Sequence, residues 1–291
     1  MSEQQPYTPD LCTLDAVLRR QHLTERDDQA PGLRDEYDEA VAIIESLIHE
    51  VSADVARHCE RVFMPYVATK TYGWAGREHI NLRELALVGD DLLEITSVTD
   101  ANGTAVSMAT ALPRNIFPKY RIQFGANCRM YYVESNPIAA TVDGIWGYAP
   151  QYPRQWRDSG VALPGELLSS ATSLTLASET EAQSFERLSY LKLGDEVVQV
   201  TARSSATLTL QRGELGTTPA THALGTPIQR YHQLADLSGA VITAVRYYYK
   251  TLNDAGGQVS IYANGAVQVE QLSRSVVGTF NQYQRRTGIR I

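Results

Sequence analysis

The sequence predicts an α+β protein: a small helical bundle of two long helices plus short N- and C-terminal helices, with short β-hairpins and an inserted all-β domain. Three observations predict it. Apolar residues recur in steps of three and four through residues 35–61, and the same period returns at 234–252. Short β-branched and aromatic runs, separated by Gly, Asn, Ser and Thr turns, fill much of the interval between them. Pro and Gly concentrate just after Pro150, where the composition shifts. The expected organisation is residues 1–150 as the first part of a helical domain carrying β-hairpins, 151–232 as the inserted β domain, and 233–291 as the second long helix and a C-terminal arm.

Taken in order, Leu14 to Arg20 reads as a short helix with Thr13 as its N-cap. Pro31-Gly32 breaks the chain, and a long helix then runs from about Asp35 to Arg61. Tyr37, Val41, Ile44, Ile48, Val51, Val55 and Cys59 make its apolar stripe, and acids crowd its first turns, where the helix dipole favours them. Pro65 excludes further helix. Leu92 to Thr99 reads as a strand, and Asp100-Ala101-Asn102-Gly103 as a hairpin turn. Tyr120 to Phe124, Tyr131 to Glu134 and Thr141 to Tyr148 are further strand candidates, and 151–166 reads as a linker. Ser173 to Ala177, Glu196 to Ala202, Ala206 to Gln211 and Thr226 to Tyr231 follow as short strands. Leu234 to Leu252 is the second long helix, expected to pack on the first. A last short helix is expected within 276–286. Tyr247, Tyr248 and Tyr249 must point to three sides of the second helix, so one faces its partner and at least one other faces solvent or another chain.

Composition excludes several function classes. The chain has 291 residues, 43% hydrophobic and 20% charged, with a net charge of -7. That is a globular composition, and it lacks the basic excess of a free-standing nucleic-acid binder. The N-terminus is polar and reads as no secretory signal, and no apolar run is long enough for a membrane span. Three scattered cysteines, Cys12, Cys59 and Cys128, argue against a disulfide framework and fit a reducing cytosol. Asn102-Gly103-Thr104 matches a glycosylation sequon but reads better as a turn. Charge is bipolar: residues 1–60 carry fourteen acids against five Arg, whereas 271–291 carry four Arg and no acid.

Catalytic constellations are hard to find. His49-Glu50 lacks the second histidine of a zinc-protease motif, and His58-Cys59 has no second ligand pair nearby. Asp90-Asp91, beside Gly89 and before a strand, reads as a solvated turn; an enzyme built on Asp90, Asp91 and His79 would lack an activating partner. Phosphate-binding glycine loops and nucleophile elbows are missing, and residues 213–226 read as an ordered loop. No cofactor is expected.

The order of these pieces resembles a known family. A short helix, an acidic loop, the long helix with AVAIIESLIHEVSADVARHCERVF, then LLEITSVTDANG, Gly144 to Tyr148 and the second long helix are similar in order and spacing to the head–tail adaptor, or head-completion, proteins of tailed bacteriophages. The resemblance covers 11–148 and 233–291. The segment Leu208 to Thr217, a Leu-x-x-x-Arg-Gly-x-x-Gly-Thr pattern, is similar to a β module that recurs in phage virion proteins.

The resemblance implies a non-enzymatic virion protein, made in the bacterial host cytoplasm and placed in the neck. It implies a dodecameric ring of this chain between the portal protein and the tail or a second neck protein (nozzle, tail terminator or stopper). Such a ring closes the head after packaging and extends the channel, with DNA passing through unbound and no membrane involved. Asp35, Glu36, Asp38, Glu39 and Glu45 are the candidate channel-facing acids, since phosphate contacts would retard the duplex. Arg274, Arg285, Arg286 and Arg290, with Tyr283, Ile289 and Ile291 as apolar anchors, are the candidate portal-docking residues. Deleting 276–291 is therefore expected to leave a folded protein. The rival readings are another tail or baseplate protein, and a carbohydrate-binding virion module stacking sugars on Trp146, Tyr152 and Trp156.

Overall fold

A computed structural model describes residues 8–21, 23, 31–73, 84–100, 102–107, 109–125, 138–254 and 272–285. In chain order its elements are α1 (Leu14–Gln21), α2 (Pro31–Cys59), β1 (Tyr66–Gly73), β2 (Glu84–Ala86), β3 (Leu92–Asp100), β4 (Thr110–Leu112), β5 (Arg121–Gln123) and β6 (Ile138–Trp146). Then follow β7 (Trp156–Ala162), β8 (Ser173–Thr175), α3 (Glu179–Gln183), β9 (Tyr190–Leu193), β10 (Glu196–Ser204), β11 (Thr207–Gln211), β12 (Pro227–Tyr231), α4 (Ala235–Asp254) and α5 (Arg274–Tyr283).

The expected small helical bundle with short hairpins is overturned. Among the described residues the architecture is mostly β: one six-stranded sheet and two three-stranded sheets, with five helices beside them. The helical period in the sequence reports that a helix buries one stripe. It says nothing of how much sheet surrounds that helix, because strands of three to five residues leave almost no period of their own.

The chain divides into two compact units. One joins Met1–Glu60 to Trp156–Gln284, and the other joins Arg61–Gln155 to Arg285–Ile291. In the first unit, Thr13 caps α1, its hydroxyl accepting from the Ala16 amide at 3.3 Å. Helix α2 is 29 residues long and starts at Pro31, four residues before the expected start. Proline is tolerated at a first helical position because its missing N–H has no intrahelical role there. The helix stops where Glu60 takes a left-handed φ of 54°. Ile44, Ile48, Val51, Val55 and Cys59 are fully buried, whereas Tyr37 and Val41 are half-buried. Helix α4 packs on α2 and buries Leu237, Val241, Val245 and Tyr248. Of the three consecutive tyrosines, Tyr248 is buried and Tyr247 is 48% exposed.

The short C-terminal helix is also core. Phe280 of α5 is fully buried and Val276 nearly so, Cys59 Sγ donates to the Phe280 carbonyl, and His58 Nε2 lies 2.7 Å from Asn281 Oδ1. Deleting 276–291 would therefore remove a core aromatic, which corrects the expectation of an expendable arm.

The six-stranded sheet belongs to this same unit, in the order β7-β12-β9-β10-β11-β8. Strand β7 occupies the stretch read as a linker. It pairs with β12, and Trp156 meets Tyr231 edge-on at 5.0 Å between ring centroids. The sheet's apolar side buries Phe185, Leu191, Leu193, Val198, Val200, Leu208 and Ile228.

The second unit holds β1-β6-β3 and β2-β5-β4. Trp146 at the end of β6 is fully buried and donates its indole N–H to the Ala68 carbonyl at 2.9 Å. Gly147 follows at a φ of 126°, where an added Cβ would come 2.1 Å from the Met64 carbonyl oxygen, so only glycine fits. The hairpin turn after β3 forms as read, with Asp100 Oδ1 accepting from the Asn102 and Thr104 amides, each at 2.9 Å. The strand candidate 131–134 lies outside the described residues.

Truncating Ile48 to Ala leaves a cavity in the helical core of the first unit. Chemical denaturation should show a loss of about 2–5 kcal/mol. A loss below about 1 kcal/mol would mean that α2 does not bury this side chain.

Candidate functional site

The polar chemistry of this chain gathers around buried carboxylates, and three of the four described below take a donor from a distant part of the sequence. At the start of the first unit, Asp10 Oδ1 lies 2.6 Å from His49 Nδ1, and Gln199 Nε2 of β10 donates to Asp10 Oδ2 at 2.7 Å. Hydrogen bonding to Asp10 holds the half-exposed His49 imidazole above its ordinary range, with Glu45 and Glu50 adding to the effect. Five residues on, Asp15 of α1 accepts from the Arg187 amide at 3.0 Å and from its Nε at 2.9 Å, while Arg203 of β10 reaches it at 3.3 Å. Glu186 binds Thr13 and Arg19 alongside. These bonds tie α1 to the β9–β10 side of the sheet.

The Arg-Gly turn noted in the sequence is the centre of a second cluster. Glu196, 2% exposed at the first position of β10, receives Arg212 Nε and Nη2 in a two-pronged contact, both at 2.7 Å. The Ala220 and Gly213 amides donate to it, and His222 Nε2 lies 2.8 Å away. The remaining face of the guanidinium donates to the Leu168, Ala171 and Ala220 carbonyls. Gly213 sits at a φ of 67°, and an added Cβ would come 2.7 Å from the Pro219 ring. One arginine thus pins two stretches of loop, 168–171 and 220, to the start of β10. Burial alone would raise the Glu196 carboxyl, but the Arg212, Ala220 and His222 hydrogen bonds outweigh it and bring it down to about 2.

The second unit holds a third cluster at the pair read as a solvated turn. Asp91 is 8% exposed and accepts from Arg285 at 2.8 Å, with Arg61 Nε at 3.7 Å. Arg61 in turn lies over the Tyr148 ring at 4.1 Å. Burial pushes the Asp91 carboxyl up against the pull of Arg285 and Arg61. Asp90 binds Lys70 and the Tyr72 hydroxyl, and Lys70 lies 4.9 Å from the Trp146 ring. Its charge keeps the Lys70 ammonium above its ordinary range although burial works the other way. The turn is therefore desolvated and paired, a correction the local sequence could not supply. His79 lies outside the described residues.

The candidate docking residues separate. Arg274 is exposed at the start of α5, and the Tyr283 hydroxyl donates to Asp236 at 2.5 Å, both in the first unit. Arg285 is committed to Asp91 in the second unit. Arg286, Ile289, Arg290 and Ile291 lie outside the described residues. Of the acids, Glu36, Asp38 and Glu39 are exposed on α2 and Glu45 is half-buried; Asp35 is on α2 past its first turn, which holds no acid once the helix starts at Pro31, and its side chain is outside the described set. The proposed sugar platform does not assemble as read, because Trp146 is buried, and Trp156 and Tyr152 are packed edge-on against Tyr231 and Phe117. Among the described residues no group of three or more His, Cys, Asp or Glu side chains is placed to hold a metal ion. No helix there is long and apolar enough to cross a membrane.

Comparison with protein-family models, curated proteins and solved structures finds no match to this chain.

Glu196 makes a pH prediction. Its folded-state pKa is depressed, so its contribution is full above the ordinary carboxylate pKa and disappears as pH falls through about 4.5 towards about 2. Urea unfolding across that window should show about 3 kcal/mol of lost stability attributable to this group. Glu196→Gln should be less stable at neutral pH and lack that component. An identical acid profile in the two proteins would refute the assignment.

Proposed function

We propose that this protein is a structural subunit of a tailed-bacteriophage neck, a head–tail adaptor that works in a ring between portal and tail. It closes the head after DNA packaging and extends the DNA channel. The observation that best supports this reading is the acidic beginning of α2, where Glu36, Asp38 and Glu39 are exposed together and Glu45 is half-buried. A conduit for DNA must not hold the duplex, since each phosphate contact adds salt-dependent affinity. A lumen lined by a ring of such carboxylates repels it. The net charge of -7 has the same sign.

The portal-facing arm in this reading is shorter than the sequence suggests. Val276 and Phe280 are core, and Arg285 is paired with Asp91. The residues left for docking are Arg286, Ile289, Arg290 and Ile291, with exposed Arg274 as an accessory. The mostly β architecture also favours a second reading, another tail or baseplate subunit. Both readings are structural, and they differ in where the subunit sits in the particle.

Electron microscopy of particles with and without this protein separates them: a missing ring beneath the portal, with DNA leaking from heads, is the expected result, and a missing tail-tip feature would favour the second reading. Stopping the chain after Arg285 should leave a folded protein that no longer joins portal-containing heads; normal joining would sink the docking assignment. Replacing Glu36, Asp38 and Glu39 by Lys should give the free protein affinity for duplex DNA at low salt and slow DNA ejection from assembled particles. Unchanged ejection kinetics would place these carboxylates away from the channel.

A further inference from the structure

Among the described residues of the first unit, the two most exposed large apolar side chains are leucines on two loops of the β module that pair with each other. Leu168 is 54% exposed and Leu224 is 70% exposed. Exposed leucines on mobile loops would be unremarked, but these loops are held. Leu167 and His222 pair across them through two backbone hydrogen bonds, each 2.9 Å. Arg212 grips the Leu168 carbonyl at 2.9 Å, the Ser169 amide donates to Thr221 Oγ1 at 3.2 Å, and the Gly225 amide donates to the Leu163 carbonyl at 2.9 Å. The Glu196–Arg212 cluster therefore presents a rigid apolar tip. Rigid presentation removes much of the ordering cost that association would otherwise meet. Glu166 is exposed beside Leu167 and is the one charged residue of 163–172.

The second unit carries a complementary feature. A cleft of about 430 Å³ has apolar and aromatic walls from Leu93, Ile95, Ala111, Phe117 and Tyr152. The Tyr152 hydroxyl is turned to Glu94 at 2.9 Å, and burial with that carboxylate pushes the phenol up, so it stays neutral. Lys119, 4% exposed, lies 4.0 Å from the Phe117 ring and donates to the Pro113 and Arg114 carbonyls, each at 2.6 Å, which holds the cleft's floor in place. Exposed Arg114 stands in the lining. The tip is apolar with one carboxylate, and the cleft is apolar with exposed Arg114 and exposed Glu94 both in its lining.

We propose that the Leu168–Leu224 tip of one copy seats in the Phe117–Tyr152 cleft of a second copy, with Glu166 meeting Arg114. Two different surfaces on one chain make a head-to-tail contact, and such contacts close into rings when the rotation permits. An apolar anchor entering a pre-formed pocket is the usual centre of such an interface. The closure into a neck ring rests on the reading above; the contact itself rests on the tip and the cleft.

The test uses two full-length variants in a Cys128→Ser background, one carrying Leu224→Cys and the other Ala111→Cys. Under mild oxidation the mixture should yield a disulfide-linked dimer that neither variant yields alone. Leu224→Asp should weaken self-association in concentration-dependent sedimentation about tenfold or more, and circular dichroism should show the fold intact. No dimer in the mixture, or sedimentation unmoved by Leu224→Asp, overturns the pairing. The two readings fail separately. A ring seen beneath the portal without the cross-link removes this contact and leaves the adaptor, whereas the cross-link without a neck ring keeps the contact and removes the adaptor.

Discussion

A carboxylate taken out of water must be met by hydrogen-bond donors, or its burial costs several kcal/mol. That constraint organises this molecule. Asp10 is met by His49 and Gln199, Asp15 by Arg187 and Arg203, Glu196 by Arg212 and His222, and Asp91 by Arg61 and Arg285. In three of the four cases a donor lies more than 170 positions away in the chain. Each pairing joins elements that hydrophobic burial alone would allow to slide. Apolar packing supplies most of the gross stabilisation, and the ion pairs select which packed arrangement is permitted.

The consequence for the first unit is that its helices and its sheet are held together by polar ties. Helix α1 is clamped to the strand region by Asp15, and the segment before it by Asp10, while α2, α4 and α5 share a core through Val51, Val245 and Phe280. With such cross-ties, pulling one element loads several others. The Glu196–Arg212 cluster does the same within the β module, where it ties the loops at Leu168–Ala171 and Ala220 to the start of β10.

The second unit follows the same rule with different parts. Asp90 and Asp91 are neighbours in sequence, yet Asp90 serves Lys70 and Tyr72 while Asp91 serves Arg61 and Arg285. The chain's last described residue is thus anchored in a unit built mainly from 61–155.

By itself the sequence determined the local elements that carry a strong period or turn chemistry. The stripe of α2 from Ile44 to Cys59, the Thr13 cap, strand β3 with its Asp100–Gly103 turn, and strands β10 to β12 could be read because their causes lie within a few residues. The β-rich balance of the fold, strand β7 inside a Pro- and Gly-rich stretch, the core role of Phe280 and the partners of Asp10, Asp15 and Asp91 were decided only by the tertiary structure. The reason is range: a helical stripe or a turn is written in neighbouring residues, whereas the donor that answers Asp15 or Asp91 arrives from the other end of the chain, and nothing near either aspartate in sequence marks where it comes from.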